Sequence, residues 1–487
     1  MATNHKKLKN GISYDLNGWK YISVRGGPRE RGYAMGFFVA EEFKKVQEML
    51  IFLCMEDMGQ TWQFFIDAGV KLMKNTIKDN FEEIYEEMEG VAEGINAANA
   101  GVTTDIDEII AWNCYFDLTE NWYPNREDGS GKPVERKGEG GGKNERCSAF
   151  IATGDDWTAD GKIVIGHSNF SNMIDGQFAN CVVDMHCDKG HRILYMGFCG
   201  WSWSGTDFFL NSKGIIGTET TLGGFLPWEN KYPIGCRIRK VMQFANSLDE
   251  CVETLLVSNS GSYANQWIFG DINTNEIMSF ELGLKYHSVK RTKNGYFIGF
   301  NAATDPRIRN LECSNTGYNN VTRHQGARKV RLTQLMEEHK GKINIEIGKA
   351  ILGDHFDVYL KKINPCSRTC CAHYWSDDRA FQSDPSRPGP YAPRAALDGN
   401  VCDSTMAKNM QFELKYGSSC DIPFNKEEFF KEHIQYIQYE PYIMSRPNQP
   451  WTIFGITNNY GNKKSKHSRH KTNSGNKTKK LKSIHHI

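Results

Sequence analysis

The sequence contains no run of 18 apolar residues, so no stretch reads as a membrane-spanning helix. Its N-terminus, Met1-Ala2-Thr3-Asn4-His5-Lys6-Lys7-Leu8-Lys9, is charged but has no apolar segment behind it, and it does not read as a secretory signal. On that ground the expected location is cytoplasmic and the cysteines are expected as free thiols. Asn169-Phe170-Ser171 and Asn320-Val321-Thr322 count as glycosylation sequons only in a secretory compartment. Gly-x-Ser-x-Gly is missing, which argues against an α/β-hydrolase lipase. No internal repeat is found. Cys366, Cys370, Cys371 and His373 do not form a C-x₂-C pair, so they read as packed thiols or a disulfide, and no metal or other cofactor is expected.

Charge is unevenly spread. From Thr457 onward there are nine Lys/Arg and no Asp/Glu, which leaves 50 basic against 58 acidic residues in the remainder. The body is thus mildly acidic and carries no nucleic-acid-binding signature, whereas residues 457–487 read as a disordered basic tail suited to anionic surfaces.

Four regions follow. Residues 1–123 read as mainly helical, with a short strand at 17–23. Gly26 to Gly32 is a turn that opens a helix running to about Leu53. In Asn80–Ala97, Phe81, Ile84, Tyr85, Met88, Val91 and Ile95 share one face, while Glu82, Glu83, Glu86, Glu87, Glu89 and Glu93 read as a solvated one. A further helix is expected over Asp105–Thr119. Residues 124–146 have six glycines and only Val134 as an aliphatic residue, and they read as a mobile, cleavable loop. Residues 147–456 form the third region. Here strands are expected at 147–153, 162–167, 180–187, 192–198, 207–211, 214–219, 266–272, 276–282 and 295–301. Helices are expected at about 236–246, 248–257, 320–338 and 344–352, and a long packed loop at Asn364–Gly399. Many short strands with tight turns predict an α+β protein with mostly antiparallel sheets. The tail is the fourth region.

A cysteine that starts a strand after a cleavable loop suits a particular chemistry. Cutting Arg146–Cys147 places a new α-amine, with a free pKa of about 7.7–8, beside the thiol as its general base.

Four motifs in order resemble the phospholipase-B-like family of N-terminal-nucleophile (Ntn) hydrolases, which is related to the penicillin acyltransferases. The first joins Cys147–Gly154 to Asp160–His167. The second joins Ser204–Phe209 to Gly217–Thr221. The third is Asn259–Trp267 and the fourth Ala395–Gly399. The resemblance implies a four-layer αββα sandwich with Cys147 as nucleophile. It implies a histidine at His167, which orients the thiol, binds substrate or merely fills the core. The family usually has tryptophan three residues later, where this sequence has Phe170. Asn265 matches an oxyanion donor. Thr220 matches a pocket threonine, ordinary strand packing being the alternative, and Asp207, Asn301 and Arg307 are looser matches for site-lining residues. Trp201, Trp203, Phe208, Phe209, Phe225 and Trp228 suit either an acyl channel or core packing. The resemblance implies hydrolysis of a lipid or N-acylated substrate, with the two cleaved parts staying associated. A catalytically silent protein and an uncleaved Cys147–His167 hydrolase are the alternative readings.

Overall fold

Asn17 and Gly18 both take positive φ, 50° and 85°, as a two-residue hairpin with type I′ geometry requires. They join β2 (Gly11–Leu16) to β3 (Trp19–Gly26), and β1 (Thr3–Leu8) pairs with β2 on the other side. The structure is a computed structural model that describes residues 2–126, 147–205, 208–314, 317–377 and 391–455. Most of the expected cleavable loop, including Arg146, lies outside the described residues, as do Asp207 and the basic tail.

The first 26 residues thus form three strands where one was expected, at 17–23. β1 is an outer strand exposed along most of its length, so it has no buried face to impress a period of two on its sequence. The helix Pro28–Met58 starts with proline in its first turn, and the Glu30 carboxylate accepts from Gly27 N–H at 3.3 Å. It lies against the helix Glu82–Ala97 at very close range. A methyl group at Gly32 or Gly36 would collide with the carbonyls of Glu87 and Val91. The expected apolar face of Glu82–Ala97 is buried, but the acidic face needs correction. Glu87 is fully buried, with Arg239 Nη1 at 2.7 Å and Arg31 on its other oxygen, and Glu83 takes Arg31 Nη2 at 2.7 Å. The helix expected over Asp105–Thr119 is shorter, Ile106–Asn113, and is followed by a π-helical turn at Asp117–Trp122.

Beyond residue 147 come β4 (Ser148–Thr153), β5 (Val164–Ser168), β6 (Phe170–Asn172), β7 (Cys181–Cys187), β8 (Ile193–Gly197), β9 (Phe209–Asn211) and β10 (Ile215–Thr221). After the helices Ile234–Phe244 and Leu248–Leu256 follow β11 (Asn265–Asp271), β12 (Glu276–Leu282), β13 (His287–Thr292) and β14 (Gly295–Gly299). The helices His324–Glu338 and Ile345–Leu352 precede a small ladder of β15 (Phe356–Asp357) and β16 (Lys362–Ile363). The chain then adds β17 (Arg394–Ala396), β18 (Asp398–Asp403), β19 (Phe412–Tyr416) and β20 (Thr452–Phe454). The segment Asn364–Gly399, expected as a loop, therefore carries β17 and the start of β18.

One sheet has ten strands in the order β1-β2-β3-β7-β8-β9-β10-β11-β12-β13, and a second has six in the order β14-β4-β5-β18-β19-β20. Their ladders are antiparallel apart from β3 with β7. Ile151, Ile165, Val182, Leu210, Ile216 and Leu414 pack between the two sheets. The helices Pro28–Met58, Glu82–Ala97 and Ile234–Phe244 cover the outer face of the larger sheet. The helices His324–Glu338 and Ile345–Leu352 cover that of the smaller. This is the expected four-layer αββα sandwich of mostly antiparallel sheets. Among the described residues no helix is long and apolar enough to cross a membrane.

Candidate active site

Cys147 stands immediately before β4, a strand flanked by β14 and β5. It is buried, and its φ is +98°, a region that favours glycine. Its thiol reaches Glu219 Oε1 at 3.8 Å across the gap between the sheets. The Cys147 sulfur, a ring nitrogen of His167 and a carboxylate oxygen of Glu219 all lie within 4.8 Å of one another. Tyr263 Oη donates to the same Glu219 oxygen at 3.1 Å.

His167 sits on β5 opposite Ala149 and Asn400. Asn400 Nδ2 lies 3.4 Å from its Nδ1, while its Nε2 meets no hydrogen-bonding group among the described residues. Burial pushes its pKa down to about 3, so the ring is neutral at ordinary pH. Behind it, Asp398 accepts from Asn400 Nδ2 at 2.8 Å and from Asn169 N–H at 2.9 Å. Burial pushes the Asp398 carboxyl up to about 7.

The arginine that touches Cys147 is Arg328, whereas the partners of Arg307 lie elsewhere. Arg307 is half exposed, pairs with Asp305 at 2.8 Å and lies over the Tyr286 ring. Arg328, by contrast, is fully buried. It donates to the Cys147 carbonyl, to Ser148 Oγ at 3.3 Å, to Phe300 O at 3.3 Å and to Asn301 Oδ1 at 2.8 Å. Its guanidinium lies 5.1 Å from the centre of the Phe170 ring. A readable signal existed. Arg328, Leu332, Leu335 and Met336 fall at i, i+4, i+7 and i+8, which places a cation in the buried stripe of a helix.

Asn265 opens β11 opposite Thr221, and its amide oxygen and nitrogen are both buried with no hydrogen-bond partner among the described residues. Asn301 donates to Thr221 O at 2.9 Å. Thr220 packs over Gly299, where any side chain would strike it, and its hydroxyl has no partner among the described residues. The structure thus brings Cys147, His167, Asn301 and Phe170 to one place, with Thr220 and Asn265 at the facing end of β10–β11. Glu219, Tyr263 and Asp398 lay unassigned inside the motifs, and Asn400 one residue past the fourth.

The aromatic residues do not form one channel. Trp201 and Trp203 stack at 4.6 Å inside the core between helices and larger sheet, and Phe208 packs between the sheets. Phe225 lines a small cavity with Asn121, Thr221 and Tyr263.

No family model matches the chain. An uncharacterized protein of Archaeoglobus fulgidus is 27% identical over 275 residues, 53% of this chain and 42% of that protein. Putative phospholipase B-like 2 of Rattus norvegicus is 32% identical over 89 residues, 17% of this chain and 15% of its own length. Phospholipase B of Crotalus adamanteus is 24% identical over 252 residues, 45% of this chain and 42% of its own. The chain is a distant relative of phospholipase-B-like proteins. It spans less than half the length of each of these curated relatives. Among solved structures, a variant of conjugated bile acid hydrolase from Clostridium perfringens aligns with 55% of this chain and 89% of its own, at a TM-score of 0.32 and 11% identity.

Proposed function

We propose that the chain is a cysteine hydrolase of linear amides or acyl esters, with Cys147 as a nucleophile that becomes N-terminal when the Arg146–Cys147 bond is cut. The observation that carries this reading is the backbone of Cys147. A non-glycine residue held at φ +98° stores about 1–3 kcal/mol of strain. Cutting the bond before it abolishes that torsion and releases the strain, so the conformation favours the cleaved form.

The α-amine then takes the thiol proton, and the thiolate attacks the substrate carbonyl carbon. The amide of Asn265, buried without a partner among the described residues, receives the developing oxyanion. The ammonium returns its proton to the departing nitrogen or oxygen, leaving a thioester. Water, deprotonated by the same amine, attacks the thioester and frees the acid and the thiol. Arg328 is a positioning residue that fixes Cys147 through its carbonyl oxygen. A neutral His167 with its pKa near 3 is a poor partner for a thiolate–imidazolium pair, which weighs against the uncleaved Cys-His reading. The names of the distant relatives favour acyl substrates, and Phe170 and Thr220 are the residues proposed to meet them.

N-terminal sequencing and mass measurement of active protein test the proposal. They should find copurifying parts of 146 and 341 residues from the 487, and Cys147→Ala should stay uncut and inactive. Active protein of intact mass would favour the uncleaved Cys-His hydrolase. Cut or uncut protein with an unreactive Cys147 would favour the silent reading.

A further inference from the structure

A second cluster of ligand-type side chains lies in the loops beside β15, β17 and the end of β19. The geometry points to a structural zinc site formed by His355, Cys371, His373 and Cys420. One donor atom from each lies within 4.8 Å of all the others. His373 Nε2 is 3.5 Å from Cys371 Sγ, 3.4 Å from Cys420 Sγ and 3.2 Å from His355 Nε2.

Hydrogen bonding does not account for this convergence. An imidazole nitrogen carries either one hydrogen or one lone pair, so it serves one of three such neighbours and crowds the other two. A single tetrahedral cation serves all four donors. Bonds of about 2.0–2.1 Å to nitrogen and about 2.3 Å to sulfur give tetrahedral edges of about 3.3 Å for N–N and about 3.6 Å for N–S. The observed separations agree to within about 0.2 Å. Two thiolates and two imidazoles, with no position left open, make a closed set of the kind that holds zinc for structure and leaves none for a reacting water.

The surroundings fit the same ion. Ile422 N–H donates to Cys420 Sγ at 3.3 Å, and Ser418 Oγ lies 3.2 Å from that sulfur. The Ile422 N–H favours a thiolate at Cys420 and orients it as a ligand. Cys371 N–H donates to Asp354 O at 3.2 Å, which holds Cys371 beside the His355 segment. Cys366 and Cys370, grouped with Cys371 and His373 in the sequence, turn elsewhere. Cys366 Sγ approaches Asp357 Oδ2 at 3.6 Å, and Cys370 joins the core beneath the smaller sheet. The ligands are separated by intervals of 16, 2 and 47 positions, so no C-x₂-C pair announces them.

The site braces one wall of the Cys147 region. Ala396 N–H donates to Ala372 O at 2.9 Å, β17 pairs with β6, and Phe170 packs with Cys371, Ala372 and Tyr374. The cation therefore ties three separate segments of chain to the strand that carries Phe170, without touching the reacting groups.

Metal analysis of the full-length protein, purified reduced and without chelator, is the test. One zinc ion per chain is expected, with none lost in Cys366→Ser. After exchange for cobalt, thiolate-to-cobalt absorption should appear. It should drop to roughly half in Cys420→Ser and strengthen by roughly half in His355→Cys, which keeps four ligands. A reduced protein that is zinc-free and takes up no added zinc would overturn the proposal. So would a Cys371–Cys420 disulfide in the protein as purified, or thiolate-to-cobalt absorption undiminished in Cys420→Ser. If Cys420→Ser does not fold, the wild-type zinc count and the state of those two thiols decide.

Discussion

Arg328 meets Asn301 at 2.8 Å, guanidinium to side-chain oxygen, and Asn301 in turn donates to Thr221 O at 2.9 Å. One arginine thereby links the residue before β4 in the smaller sheet to the end of β10 in the larger. Lysine presents its donors from a single point and cannot span the Cys147 carbonyl, Ser148 and Asn301 together. Arg328→Lys should lower kcat/KM by about 10²-fold through misplacement of Cys147. Steady-state kinetics with a parallel melting curve check this, and an unchanged kcat/KM would remove Arg328 from the site.

Asn265 keeps a buried amide with no hydrogen-bond partner among the described residues, which costs stability unless a ligand fills it. Asn265→Ala should lower kcat by about 10²–10³-fold and leave the melting temperature level or slightly raised. A collapsed melting transition would make Asn265 a structural residue instead.

Asp398 gives a pH dependence of definite sign. Its folded pKa of about 7 lies above the ordinary value of 3.8, so the folded state binds the extra proton. Its contribution is fully present below about 3.8 and is lost as pH rises through about 7. Asp398→Asn mimics the protonated form, so its stability relative to wild type should rise by a few kcal/mol between about pH 4 and 8. Urea unfolding across that range measures it, and a constant difference would contradict the raised pKa.

Glu87 has the opposite sign. Burial raises its pKa, but Arg239 and Arg31 outweigh it and hold the carboxyl near 2. Its contribution is therefore present above about 4.5 and lost as pH falls toward 2. Glu87→Gln should cost about 3–5 kcal/mol at neutral pH, because the buried Arg239 loses its counter-charge and Arg31 keeps only Glu83. A Glu87→Gln protein as stable as wild type in urea would refute this.

Strands such as β11 and β12 were legible because short β-branched and aromatic runs are bounded by turn residues, and Glu276–Leu282 is found where expected. Cys147 was legible because a change in chain character marks it. What escaped was set by distant partners. Glu87 falls in a run of glutamates that reads as solvated, and its arginines lie 56 and 152 residues away. Arg328 reaches the Cys147 carbonyl across 181 residues. Helical periodicity fixes which side a residue faces, not which charge waits there. β1 escaped for a different reason, since a strand with little buried surface leaves little pattern.

Among the described ladders, β3 with β7 alone is parallel, and it pairs residues before Cys147 with residues after it, from Lys20 with Cys181 to Gly26 with Cys187. While the chain is whole, this ladder forms within one molecule at a rate independent of concentration. Under the proposed cut of the Arg146–Cys147 bond, the same ladder would belong to two polypeptides, and remaking it after unfolding would become a second-order encounter between fragments. Recovery from heat would then depend on dilution and on scan rate in the cut protein but not in Cys147→Ala. The proposed maturation would work as a ratchet: the larger sheet would be assembled while the chain is continuous, and afterwards only kept.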